Sequence, residues 1–189
     1  MNAVSKREQI IQAADQLFYQ QGFEHTSFAH IAEAVKVSRG NFYYHFKSKD
    51  EILTAVINFR LADTQTKLDQ WKIEGATPQD RILSFINIMI MNRAKIKQFG
   101  CPVGTLTTEL SKLNHPALNE ANQIFTLFRE WLKQQFLLLG HKKQADELAM
   151  HLLARSQGIA TLANAFHDER FIKKEVSNLT LWLADYCKK

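Results

Sequence analysis

Residues 26–51 read TSFAHIAEAVKVSRGNFYYHFKSKDE. Ser27 opens this stretch as a helix N-cap, because its hydroxyl can accept one of the backbone N–H groups that a first helical turn leaves unpaired. Phe28, Ile31, Ala32 and Val35 follow at the spacing of one buried helix face. Ser38 caps a second short helix, in which Phe42 and Phe46 share the core side and the polar tips of Tyr43, Tyr44 and His45 point elsewhere. Ser48 and Glu51 have capping-box spacing and open a longer helix with Ile52, Leu53, Val56 and Ile57. Two short helices joined by a tight turn make a helix-turn-helix, an arrangement that sets its second helix against DNA.

The chemistry of the second helix agrees with that use. A recognition helix brings its N-terminal residues to base edges while neighbouring groups hold phosphates. Arg39 can fork onto guanine or a phosphate, and Asn41 can pair with adenine or cap locally. Gly40 weakens the helix by about 1 kcal/mol relative to alanine, and its use would be close approach of the backbone to the duplex. The expected DNA-binding set is Ser27, Lys36, Ser38, Arg39, Gly40, Asn41, Tyr43, Tyr44, His45 and Lys49, with Lys49 holding a phosphate at the start of the next helix.

Working outward, the rest of the chain reads as helix too. Gly22, Gly75, Gly100 and Gly140 stand where apolar helical patterns stop, and Pro78, Pro102 and Pro116 are each placed to start a helix. No Asn-Gly or Asp-Gly hairpin signal and no sustained two-residue alternation occurs. The expectation is an all-α fold of about nine helices. A helix-turn-helix domain would span 1–48, and a ligand-binding and dimerisation domain 49–189, with the helix from residue 49 as connector.

Composition narrows the class. The chain has 189 residues, 46% of them hydrophobic, which is enough for a packed core. Its net charge of +5 suits a polyanionic partner without requiring one. Basic and acidic side chains are nearly balanced over residues 1–60, so placement matters more than sum: Lys36, Arg39, Lys47 and Lys49 lie in or beside the reading element. No apolar run approaches the roughly 18 residues of a membrane span, and the start, MNAVSKREQ, is not a secretory signal, so a cytoplasmic location is expected. Scattered histidines, with no HExxH, GxSxG, P-loop or dinucleotide fingerprint, argue against an enzyme, a metal site or a cofactor.

The run I-A-x-x-x-x-V-S-x-G-x-x-Y-x-H-F-x-S-K-x-x-I/L is carried here by Ile31, Ala32, Val37, Ser38, Gly40, Tyr43, His45, Phe46, Ser48, Lys49 and Ile52. It resembles the signature of the TetR family of transcriptional regulators, strongly over residues 6–60. One position departs: that family usually has glycine in the turn where this chain has Lys36. If the turn needs a positive φ, Lys36 is strained there. The resemblance implies a repressor that forms a homodimer through the last two of the expected helices (the eighth and ninth), binds a palindromic double-stranded DNA operator, and leaves it when a small hydrophobic ligand or an electrophile arrives.

Pocket candidates are Phe85, Met89, Leu106, Phe125, Phe128, Trp131 and Gln157, since aromatic rings and methionine suit adaptable apolar sites; at helical spacing they equally suit a core. Cys101, just ahead of Pro102, would sit at a helix N-cap, where the thiolate is favoured, and is a candidate redox sensor. Cys187 is expected to be exposed and incidental, and the turn around His141 solvated. Two further readings are an architectural DNA binder without a ligand and a helical-bundle enzyme.

Overall fold

A computed structural model describes residues 4–187, the side chain of Arg39 excepted. Among the described residues there are ten helices and no strand: α1 Lys6–Gln21, α2 Phe28–Ala34, α3 Arg39–His45, α4 Lys49–Glu74, α5 Pro78–Met91, α6 Arg93–Phe99, α7 Pro102–Lys112, α8 Leu118–Leu138, α9 Ala145–Ala165 and α10 Glu169–Cys187. The count passes nine because the helical run from Pro78 breaks at Asn92. There the Asn92 backbone N–H (3.1 Å) and side-chain amide (2.9 Å) both donate to Ile88 O at the end of α5.

Local chemistry sets the helix ends. Ser5, Ser27 and Thr77 each form a reciprocal capping box, with Glu8, His30 and Asp80 as the answering side chains. At α4 the exchange is offset: Ser48 Oγ accepts from Glu51 N (3.1 Å), but Glu51 accepts from Lys47 N (2.6 Å), one residue before Ser48. Pro78 and Pro102 begin α5 and α7, whereas Pro116 lies in the turn two residues before α8.

The chain divides into two compact units. One takes the chain up to Asp63 together with Thr105–Gln123; the other takes Thr64–Gly104 and the chain from Ile124 onward. The boundaries of these units fall within α4, α7 and α8. In the first unit, Ile10, Ala14, Phe18, Ile31, Phe42, Phe46, Ile52, Leu53, Val56 and Ile57 form a buried core. Leu106, Leu110, Ala117 and Ala121, far along the chain, belong to that same core. Burial of each large apolar side chain is worth about 1.5–3 kcal/mol. The Arg60 guanidinium pairs with Asp15 (2.5 Å) and fastens α4 to α1.

In the second unit α10 packs on α5 and α9, and α9 also packs on α6. Ile82, Ile86, Leu132, Phe136, Leu152, Ala163, Ile172 and Leu183 are fully buried in its core. Leu162 is 45% exposed. Two expectations change here. His141 is half-buried, with its Nε2 2.7 Å from Tyr186 O and its ring against Phe136 and Tyr186. Cys187 is likewise half-buried against this core, and burial pushes its thiol above the usual cysteine range. The His141 contact follows from α10 being long enough to bring Tyr186 to the turn after α8.

Candidate nucleic-acid interface

The turn between α2 and α3 is built from the backbone outward. Lys36 N donates to Glu33 O and Val37 N to Ala32 O, both at 3.1 Å, which is the paired bonding of a Schellman helix end. Such an end needs one residue in the left-handed region, and Lys36 takes it at φ 52°. The usual glycine at this place is thus explained, and the strain anticipated for Lys36 is present. Its side chain is exposed.

α3 begins at once, with Ser38 Oγ accepting from Asn41 N (3.4 Å). Phe42 and Phe46 are each 1% exposed and anchor the helix. Phe28 leans on Phe42 at 5.1 Å and on Tyr43 at 5.5 Å, so Tyr43 is held by its ring with its face half in solvent. Tyr44 is 78% exposed and meets His45 edge-on at 5.2 Å. The Arg7 guanidinium lies 4.8 Å over the Phe46 ring and braces the helix from α1. The outer face of α3 then presents Gly40, Asn41, Tyr43 and Tyr44, with Lys36 beside it. An alanine Cβ at Gly40 would meet no atom within 4 Å, so nothing inside this chain demands a glycine there. The Arg39 side chain lies outside the described residues.

The remaining predicted contacts differ in how they are held. Ser27 Oγ accepts from His30 N (3.2 Å), and its own N–H faces His30 Nδ1 (3.3 Å). Lys49 turns into the structure: its ammonium donates to Phe23 O (3.1 Å) and Glu24 O (3.2 Å) and lies 4.3 Å over the Phe23 ring. Sequence reasoning passed over the partners of this segment. Thr26, 1% exposed, donates to Gly22 O (2.7 Å). Glu109 accepts from Phe23 N (2.9 Å) and Glu24 N (2.8 Å) across more than eighty residues. No local pattern could have announced a contact at that separation.

The pocket candidates do not all fall together. Phe85 and Met89 are buried in the second unit, where Phe128 meets Phe85 edge-on at 5.5 Å and Trp131 lies 5.7 Å from Trp71. Phe125 packs against the same core, and Gln157, half-buried on α9, crowds Gly104 of α7 with its side-chain oxygen. Leu106 instead belongs to the core of the first unit. Cys101 is half-buried, and its Sγ accepts from Gly104 N (3.5 Å), as a residue capping the first turn of α7 would. Among the described residues, no group of three His, Cys, Asp or Glu side chains is placed to hold a metal ion, and no helix is long and apolar enough to cross a membrane.

A three-helix head with an exposed polar recognition face, joined to a larger helical unit, defines a helix-turn-helix transcriptional regulator. Residues 10–56 match the model of the bacterial regulatory proteins of the tetR family, and residues 78–175 match that of the transcriptional regulator LmrA/YxaF-like C-terminal domain. The chain belongs to the TetR family of DNA-binding transcriptional regulators. An HTH-type transcriptional regulator in the lacX 3' region of Lactococcus lactis is 28% identical over 88% of this chain and 87% of its own length. The HTH-type transcriptional repressor DhaR of Mycobacterium sp. strain GP1 is 26% identical over 80% and 79%. A TetR transcriptional regulator from Legionella pneumophila, 23% identical, shares the fold over 100% of both chains with a TM-score of 0.85.

Proposed function

We propose that this regulator is a repressor acting in the cytoplasm. As a homodimer it holds a two-fold operator through residues 27–46 of each copy. The observation that carries this reading is the outer face of α3, where Gly40, Asn41, Tyr43 and Tyr44 stand in solvent on a buried Phe42–Phe46 spine. Reading two half-sites requires a two-fold partner. α9 and α10 supply the surface for it, with Met150, Leu162 and Leu181 exposed along them. Residues 1–48 read DNA, and the rest of the chain binds the inducer and the second copy.

A small hydrophobic ligand among Phe85, Phe125, Phe128, Trp131 and Gln157 releases the operator by favouring a conformation in which the two heads no longer fit successive grooves, α4 carrying the change. Modification of Cys101 is the second route. It is supported by the place of its sulfur at the first turn of α7. The sequence relationship to a named repressor supports the negative sign of regulation.

The test is a duplex selected by the protein from a random library, titrated by fluorescence anisotropy at two salt concentrations. Arg39→Ala should weaken binding by about 1–3 kcal/mol and relax the preference at one base position, whereas Lys36→Ala should weaken it across sequences and reduce the salt slope by about one. Unchanged affinity in both variants would remove α2–α3 as the reading element. A thiol oxidant that releases the wild type but not Cys101→Ser assigns the sensor; equal release of both, or of neither, moves the search to the apolar ligand.

A further inference from the structure

We propose that Glu109, on α7 and outside the helix-turn-helix, is a positioning residue for DNA recognition. The segment that carries α1 into α2 is gripped on both backbone faces. On one side the Glu109 carboxylate accepts from Phe23 N (2.9 Å) and Glu24 N (2.8 Å). On the other, the Lys49 ammonium donates to Phe23 O and Glu24 O, so the peptide group between Phe23 and Glu24 is fixed between an anion and a cation, and the peptide groups on either side of it are each held once. Gly22 makes room for the grip: at φ 90° it has no side chain, and a Cβ there would come within 3.0 Å of Glu109 Oε1. The turn after α7 adds a second hold. His115 meets the Phe23 ring at 5.3 Å, and its Nε2 faces Asp50 at 3.5 Å.

This segment leads through Thr26 straight into Ser27, the N-cap of α2. The angle at which α2 and α3 are presented is therefore set partly by a carboxylate that neither helix contains. Because the acceptor rides on α7, the geometry of the reading head is conditional on where α7 lies. Removing Glu109 takes a negative charge from a DNA-binding unit. Charge alone would then strengthen binding to any duplex, while loss of positioning weakens binding to the right one.

The experiment compares wild type, Glu109→Gln and Glu109→Ala on a library-selected duplex and a scrambled duplex of equal length. Glutamine keeps one acceptor oxygen and turns an N–H₂ toward a donor. The ratio of specific to non-specific affinity should fall about tenfold in Glu109→Gln and further in Glu109→Ala, with scrambled-duplex affinity unchanged or raised. A ratio equal to wild type in folded variants would overturn the proposal. If the variants do not fold, amide hydrogen exchange on the wild type decides: by linkage, Phe23 and Glu24 N–H should exchange at least threefold more slowly on the selected duplex than on the scrambled one, and equal exchange refutes it. A wild type that selects no sequence would instead sink the reading of α3 as a base-reading helix, and this proposal with it.

Discussion

Three residues of the head show how one backbone angle or one missing Cβ governs function. Lys36 sits in the left-handed region at φ 52° because the Schellman end of α2 requires it. Lys36→Gly should raise stability by up to about 1 kcal/mol, seen as a higher melting temperature. If Lys36 also touches phosphate, the same variant should bind DNA with a flatter salt dependence; a flatter slope without a higher melting temperature would mean the turn is not strained. Gly40 is the converse case. Its surroundings would accept a Cβ, so Gly40→Ala should stabilise α3 by up to about 1 kcal/mol while weakening sequence-specific binding. An alanine variant that binds as tightly as wild type would show that the backbone does not approach the duplex there. The glycine at Gly22 answers to this chain instead, since both its φ of 90° and the nearness of Glu109 disfavour a side chain.

The elements owe their boundaries to caps that carry their own pH dependence. Asp80 is held below the usual carboxylate range, first by the Thr77 hydroxyl (2.7 Å) and then by the Thr77 backbone N–H (3.0 Å). Glu8 is lowered in the same way, by the backbone N–H and then the hydroxyl of Ser5. A carboxyl lowered in the folded state stabilises above its unfolded pKa of about 4, and that contribution disappears as pH falls through the folded value. The acid side of the stability curve should therefore be shallower in Asp80→Asn than in wild type, measured as melting temperature between about pH 6 and pH 3. Parallel curves for the two proteins would show that the α5 cap does not contribute to acid sensitivity. Arg129 and Asp146, mutually shifted toward their charged forms by a two-fold hydrogen bond, join α8 to the first turn of α9 in the same surface-exposed manner.

At the scale of the whole molecule, the reading head is not completed by the residues that make up its motif. Leu106, Leu110, Ala117 and Ala121 come from α7, the α7–α8 turn and α8 into the core around Ile10, Phe18 and Phe46. A fragment ending at Asp63 should lack a cooperative thermal transition, because it uncovers that core and loses the Glu109 cap. A sharp transition and dispersed amide spectra in the fragment would show that the first three helices suffice with the start of α4. Within the full chain, Leu110→Ala, at a fully buried site, should cost about 2–5 kcal/mol.

What the amino-acid order settled alone is whatever depends on neighbours within about one helical turn. The N-caps at Ser5, Ser27 and Ser38, the buried spine of Phe42 and Phe46, the helical class and the family signature were all legible, because capping and periodicity act over three or four residues. Lys36 could even be read as a strained turn from the glycine it replaces. The tertiary structure alone decided the rest. It gave Leu106 to the head rather than to the pocket candidates, turned Lys49 inward onto Phe23 and Glu24, buried Cys187 and His141 in part, and set Glu109 against amides more than eighty residues away. Those outcomes depend on which buried surfaces meet and on where an unpaired backbone group finds its partner. Neither is encoded in local spacing, and both are resolved only when the helices pack.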